Sequence, residues 1–100
     1  MKDEQDEAID YPLDGTLDLH MFRPRDAREV TRAYLEACRE RGILEVRIVH
    51  GKGQGVLARS IRGLLEELPY VIRVRPGGET GGGWGATVVD LLPAAGATGD

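Results

Sequence analysis

The chain is nearly without cysteine: Cys38 stands alone among 100 residues. That excludes an internal disulfide and any cysteine-based zinc cage. Its place on the apolar side of a predicted helix assigns it to packing rather than to nucleophilic chemistry. Long apolar runs are also missing; no stretch approaches the roughly 20 residues that cross a bilayer. Residues Met1 to Glu7 are acidic and lack the apolar segment of a secretory signal. These absences predict a cytosolic protein with no membrane association. Nor is there a basic excess, since 13 Lys and Arg meet 17 Asp and Glu for a net charge of −4. The charge is unevenly spread. Residues 1–14 hold six carboxylates against Lys2 alone, which leaves residues 15–92 weakly basic. A weakly basic body permits polyanion binding of modest, salt-sensitive affinity. The acidic leader reads as a flexible, solvated tail, or as a competitor for the same basic surface.

What the chain does have is ordinary for a folded domain: 41% apolar and 30% charged residues in a length that supports one small core. A strand is predicted over Thr16–His20, with Leu17 and Leu19 on one face and Thr16, Asp18 and His20 on the other. Pro24 opens a helix that carries Ala27, Val30, Tyr34, Ala37 and Cys38 at helical spacing and ends before Gly42. A second strand covers Glu45–Val49. After the turn Gly51–Gly55, a second helix carries Val56, Leu57, Ile61, Leu64, Leu65 and Leu68 and stops at Pro69. Strands over Tyr70–Arg75 and Ala86–Leu92 flank a glycine-dense loop, and the tail from Pro93 is expected to fray. The order β-α-β-α-β-β predicts a two-layer α/β sandwich with both helices on one face of a four-stranded mixed sheet. The two crossovers predict parallel pairing of the first three strands.

Sites in such sheets gather at the carboxyl ends of parallel strands. Here those ends carry the only two histidines, His20 and His50, and the turn Gly51-Lys52-Gly53-Gln54-Gly55. A glycine-rich turn before a helix aims backbone N–H groups at an anion, most often a phosphate. An antiparallel fourth strand brings Trp84, Gly85 and Thr87 to the same edge. Phosphodiester chemistry fits this set. His20 and His50 can move protons. Lys52 with the N–H groups of Gly53 and Gly55 can hold non-bridging oxygens. Asp18, two residues before His20, can orient that imidazole. RNA offers a 2′-hydroxyl as an internal nucleophile, whereas DNA requires activated water, so RNA is favoured. Arg73, Arg75 and Arg47, or Arg59 and Arg62 on the second helix, can follow a phosphate backbone. Trp84 can stack on a base or plug the sheet end.

The segments Leu17-Asp18-Leu19-His20, His50-Gly51-Lys52-Gly53-Gln54-Gly55 and Gly82-Gly83-Trp84-Gly85-Ala86-Thr87 stand in an order and spacing that resembles the Smr (small MutS-related) domain. The likeness covers Gly15 to Leu92, and the absence of ATPase and clamp segments resembles the stand-alone members. It implies a fold like the C-terminal domain of bacterial translation initiation factor three. It also implies endonuclease activity: nicking of DNA in some members, and in others cleavage of RNA, including messenger RNA on stalled ribosomes. One position departs from the family pattern. Glycine often follows the first histidine there, whereas this chain has Met21, which alters the loop beside the site.

Plainer readings accompany each residue. His50 can fix its turn by bonding backbone groups, Asp18 can tie down the first helix, and Lys52 can be a solvated loop lysine. Asp18, His20 and His50 are ligand types suited to zinc or manganese but lack a fourth member, so the expectation is a reaction with no cofactor. A module that binds nucleic acid or a ribosomal surface without cutting it is the main alternative. A small-ligand phosphate binder is a third. The turn does not match a Walker loop, because Lys52 precedes most of its glycines, and ATP hydrolysis is not expected.

Overall fold

The computed structural model describes residues 13–51, 55–77 and 85–94. Lys52, Gly53 and Trp84 lie outside them, as do the acidic leader to residue 12 and the end of the tail. The elements are β1 (Thr16–Asp18), α1 (Ala27–Glu40), β2 (Glu45–Val49), α2 (Val56–Glu67), β3 (Val71–Pro76) and β4 (Ala86–Leu91). Two 3-10 turns, Leu19–Met21 and Pro24–Asp26, join β1 to α1.

The sheet is mixed, four-stranded and ordered β1-β2-β4-β3. β1 runs parallel to β2, and β4 runs antiparallel to both β2 and β3. This corrects one expectation. β3 has the same direction as β2 but does not pair with it, because β4 inserts between them. β4 is the most buried strand, with Ala86–Val89 and Leu91 all buried, and its position between two neighbours explains that burial.

The alternation within each strand sends one face into the core. Leu17, Val46, Ile48, Val89 and Leu91 meet Tyr34, Leu35 and Cys38 of α1 and Ile61 and Leu65 of α2. The helices are cross-linked through Arg28, which donates to the Ser60 carbonyl at 2.8 Å and pairs with Glu67 at 3.3 Å. Cys38 is fully buried, and burial pushes its thiol up to about 11, so packing is its role here. Tyr34 anchors β1: its hydroxyl accepts from Gly15 N–H and donates to the Thr16 carbonyl, both at 3.1 Å. Burial raises that phenol to about 12. At the opposite edge, the Arg39 guanidinium lies 4.0 Å from the Tyr70 ring centroid and donates to the carbonyls of Leu92 and Pro93. No helix among the described residues is long and apolar enough to cross a membrane.

This topology puts the ends of β1, β2 and β3 at the edge where β4 begins. There Gly77 N–H donates to the Ala86 carbonyl at 3.0 Å.

Candidate functional site

His20 does not end a strand. β1 stops at Asp18, and Leu19–Met21 form a 3-10 turn closed by Phe22 N–H donating to the Leu19 carbonyl at 3.1 Å. The cause is local. The Asp18 carboxylate accepts the His20 backbone N–H at 2.9 Å, a capping bond that competes with continued strand pairing. The same oxygen lies 2.9 Å from the ring nitrogen Nδ1 of His20. A carboxylate can only accept, so Nδ1 carries the proton and the neutral ring keeps its lone pair on Nε2. The His20 side chain is 65% exposed, and Leu19 beside it is buried. The turn thus divides its residues between core and solvent and presents one oriented imidazole.

Nε2 of His20 faces the turn after β2. It lies 3.4 Å from where a Cβ on Gly51 would stand, and Gly51 has a φ of +86°. A side chain at Gly51 would be strained by that φ, and its Cβ would come into contact with the imidazole. Across the gap, the Gly85 carbonyl accepts the N–H groups of both His50 and Gly51, at 2.8 and 3.0 Å. Those two donors are consumed by the fold and do not point to a ligand. Gly55 caps α2 with no side-chain bond, and the first turn of α2 has no carboxylate. Among the described residues, no carboxylate in its cap or first turn offsets the positive partial charge of that helix end.

His50 is in a different situation from His20. It is 5% exposed, and its Nε2 shares a 2.8 Å hydrogen bond with the buried Thr87 hydroxyl. Its Nδ1 has no hydrogen-bond partner among the described residues. Burial pushes the imidazole below its usual 6.5, the Gly51 backbone opposes this in part, and the Arg62 charge adds to the lowering. The two histidines are brought to the same turn, one open and one sealed. Because the folded ring resists protonation and the unfolded ring does not, acid favours the unfolded chain. The stability that His50 contributes is complete above 6.5 and is lost as pH falls below it. Chemical denaturation from pH 8 to 5 should show that loss, with a slope of at most about 1.4 kcal/mol per pH unit. His50→Gln should flatten it; an equally steep profile in the variant would refute the assignment.

Arg73 and Arg75 share the sheet face away from the helices, where their register partners are Asp90 and Val88. Arg73 is exposed. Arg75 is occupied by Asp90 at 2.8 Å and Glu45 at 3.4 Å, carboxylates supplied by two other strands. Asp18, His20 and His50 do not form a metal-holding group, and no three His, Cys, Asp or Glu side chains do so among the described residues. Arg23 and Arg25 were not singled out in the sequence. Both stand exposed just past His20, and their nearness to it in the chain was the available signal.

Sequence and fold both have counterparts among known proteins. A model of the Smr domain matches residues 17–92. The endonuclease MutS2 of Halalkalibacterium halodurans is 38% identical over 82 residues, which take in 82% of this chain and 10% of that protein. The MutS2 endonuclease of Halothermothrix orenii is 37% identical over 76 residues, 76% of this chain and 10% of its own. The chain thus spans about a tenth of the length of these curated relatives. Among solved structures, the Smr domain of Thermus thermophilus MutS2 superposes with a TM-score of 0.71 at 33% identity, covering 78% of this chain and 98% of that one. YdaL, a stand-alone small MutS-related protein from Escherichia coli, gives 0.68 at 25% identity, covering 85% and 70%. Match, relatives and fold agree: this chain belongs to the Smr domain family.

Proposed function

We propose that this chain is an endonuclease that cleaves nucleic-acid phosphodiesters, RNA ahead of DNA, with His20 as its proton-transfer residue. One observation carries the reading: the Asp18 carboxylate fixes the exposed His20 ring through Nδ1 and leaves Nε2 open beside the Gly51 turn. On RNA, Nε2 takes the proton of the 2′-hydroxyl as that oxygen bonds to phosphorus. The bond from phosphorus to the 5′-oxygen then breaks, and the imidazolium returns its proton to that oxygen. The products are a 2′,3′-cyclic phosphate and a 5′-hydroxyl. Proton transfer of this kind contributes about 10²–10⁴-fold.

Negative charge gathering on the non-bridging oxygens is met by the N-terminal end of α2, with Lys52 and the Gly53 N–H as further donors. His50 and Thr87 position the Gly51–Gly85 clamp and do not touch substrate. Arg23, Arg25 and Arg73 follow the phosphate backbone, and Trp84 stacks on a base. DNA has no internal hydroxyl, which is why RNA ranks first.

The test is cleavage of matched end-labelled RNA and DNA oligomers, with and without EDTA. RNA should be cut in EDTA and leave cyclic phosphate ends. Cleavage lost in EDTA points to a metal-assisted route, and equal cutting of DNA removes the 2′-hydroxyl from the mechanism. A second reading, a module that grips RNA or a ribosomal surface without cutting, draws support from the sealing of His50, which leaves one exposed imidazole. Oligomer binding with no cleavage favours it.

A further inference from the structure

Five large apolar side chains stand exposed among the described residues, and the two most exposed are Met21 at 76% and Val56 at 75%. Ile72 and Val74 sit on the edge strand β3 and Leu92 follows β4, away from the histidines in the chain. Met21 and Val56 instead border the two segments that form the candidate site. Met21 closes the 3-10 turn that presents His20. Val56 is the first residue of α2, directly after Gly55. Neither supports the core, which takes Leu19 and Phe22 from one segment and Leu57 and Ala58 from the other.

We propose that Met21 and Val56 are base-contact residues that hold the two nucleotides flanking the scissile phosphate out of their stack, making an unpaired strand the substrate. The inference rests on the nucleic-acid reading above and adds a selectivity to it. His20 Nε2 faces Gly51 just after the end of β2, and α2 begins five residues later, so a phosphate taken up between them would leave its adjoining bases to project toward Met21 and Val56. Exposed cations follow each of them closely in the chain, Arg23 and Arg25 after Met21 and Arg59 after Val56. Cations serve phosphates, whereas an exposed thioether and an isopropyl group serve the faces of bases. Apolar side chains of this kind wedge between base steps, and methionine sulfur makes favourable contacts with π-systems. A base already unpaired gives up less on being wedged apart than one in a duplex. In-line attack by the 2′-hydroxyl also requires the sugar-phosphate link to leave its helical geometry, so unstacking and chemistry ask for the same distortion.

The experiment uses the full chain and a 2′-O-methyl RNA oligomer, which binds but cannot be cut by its own hydroxyl. The oligomer carries 2-aminopurine, whose fluorescence rises on unstacking. Wild type should bind the single strand with a clear rise. Met21→Ala/Val56→Ala should bind it about five- to tenfold more weakly, without the rise, and keep its duplex affinity. Both side chains are exposed, so circular dichroism and Tm should match wild type. A double variant that binds and unstacks like wild type overturns the proposal and leaves the nuclease reading standing. An equal loss on duplex overturns it too. Wild type that binds no oligomer overturns both.

Discussion

Replacing His20 with alanine should lower RNA cleavage by about 10²–10⁴-fold, with oligonucleotide affinity nearly unchanged. The expectation follows from where the ring sits. Its side chain is 65% exposed and contributes nothing to the core, so its loss leaves no cavity. The turn survives as well, because the bond from the His20 N–H to Asp18 belongs to the backbone. Only the oriented nitrogen is removed. The readout is single-turnover cleavage of labelled RNA beside anisotropy with the uncleavable 2′-O-methyl oligomer. An alanine variant that still cuts at the wild-type rate would move the chemistry to another residue. A variant that loses binding in step with cleavage would make His20 a ligand contact.

Gly85→Ala should damage both stability and activity. A Cβ at Gly85 would lie 2.9 Å from the Gly51 carbonyl oxygen and 3.3 Å from its carbon, both backbone atoms that cannot rotate aside. The Gly85 carbonyl meanwhile holds the N–H groups of His50 and Gly51. Relief of the clash must lengthen those bonds or shift the turn that His20 faces. Overpacking of this kind costs about 1–3 kcal/mol, and displacement of Gly51 should lower cleavage at least about tenfold, since misplacement of even 1 Å is costly in catalysis. Gly42→Ala is the control. That glycine also has positive φ, +79°, but a Cβ there meets nothing within 4 Å, and Gly42 precedes β2, whose other end carries the site. It should lose stability and keep its cleavage rate. A Gly85→Ala protein as stable and active as wild type would show that the clamp is slack.

The contrast between these positions also marks what can be read from the residues alone. Helical spacing located both helices, and alternation located the strands, because each reflects one local period. Tyr34 and Cys38 were assigned to packing on the same ground, and they are buried. The insertion of β4 between β2 and β3 was not legible. No local pattern says which strand a buried strand will neighbour, and crossover rules suggested direct pairing of β2 with β3. Alternation alone carries β1 two residues too far, because it continues through Leu19 while the Asp18 carboxylate turns the chain. At the site, the sequence brought both histidines to one edge but could not separate an exposed ring from a sealed one. That difference depends on Thr87, a residue 37 positions away. Arg75 likewise reads as an available cation until Glu45 and Asp90 arrive from other strands.

The place of β4 has a consequence for how the protein is made. Translation delivers it last of all the strands, yet it is the piece that joins β2 to β3. While the ribosome is still adding residues before Ala86, β1 and β2 can pair, but β3 has no neighbour and the core has lost Val89 and Leu91. Contacts so distant in sequence form late and slowly. Gly85, which locks the turn beside His20, emerges just ahead of that strand. Under the proposed function, a nascent chain should stay inert toward RNA, the messenger it is being read from included, until β4 is in place.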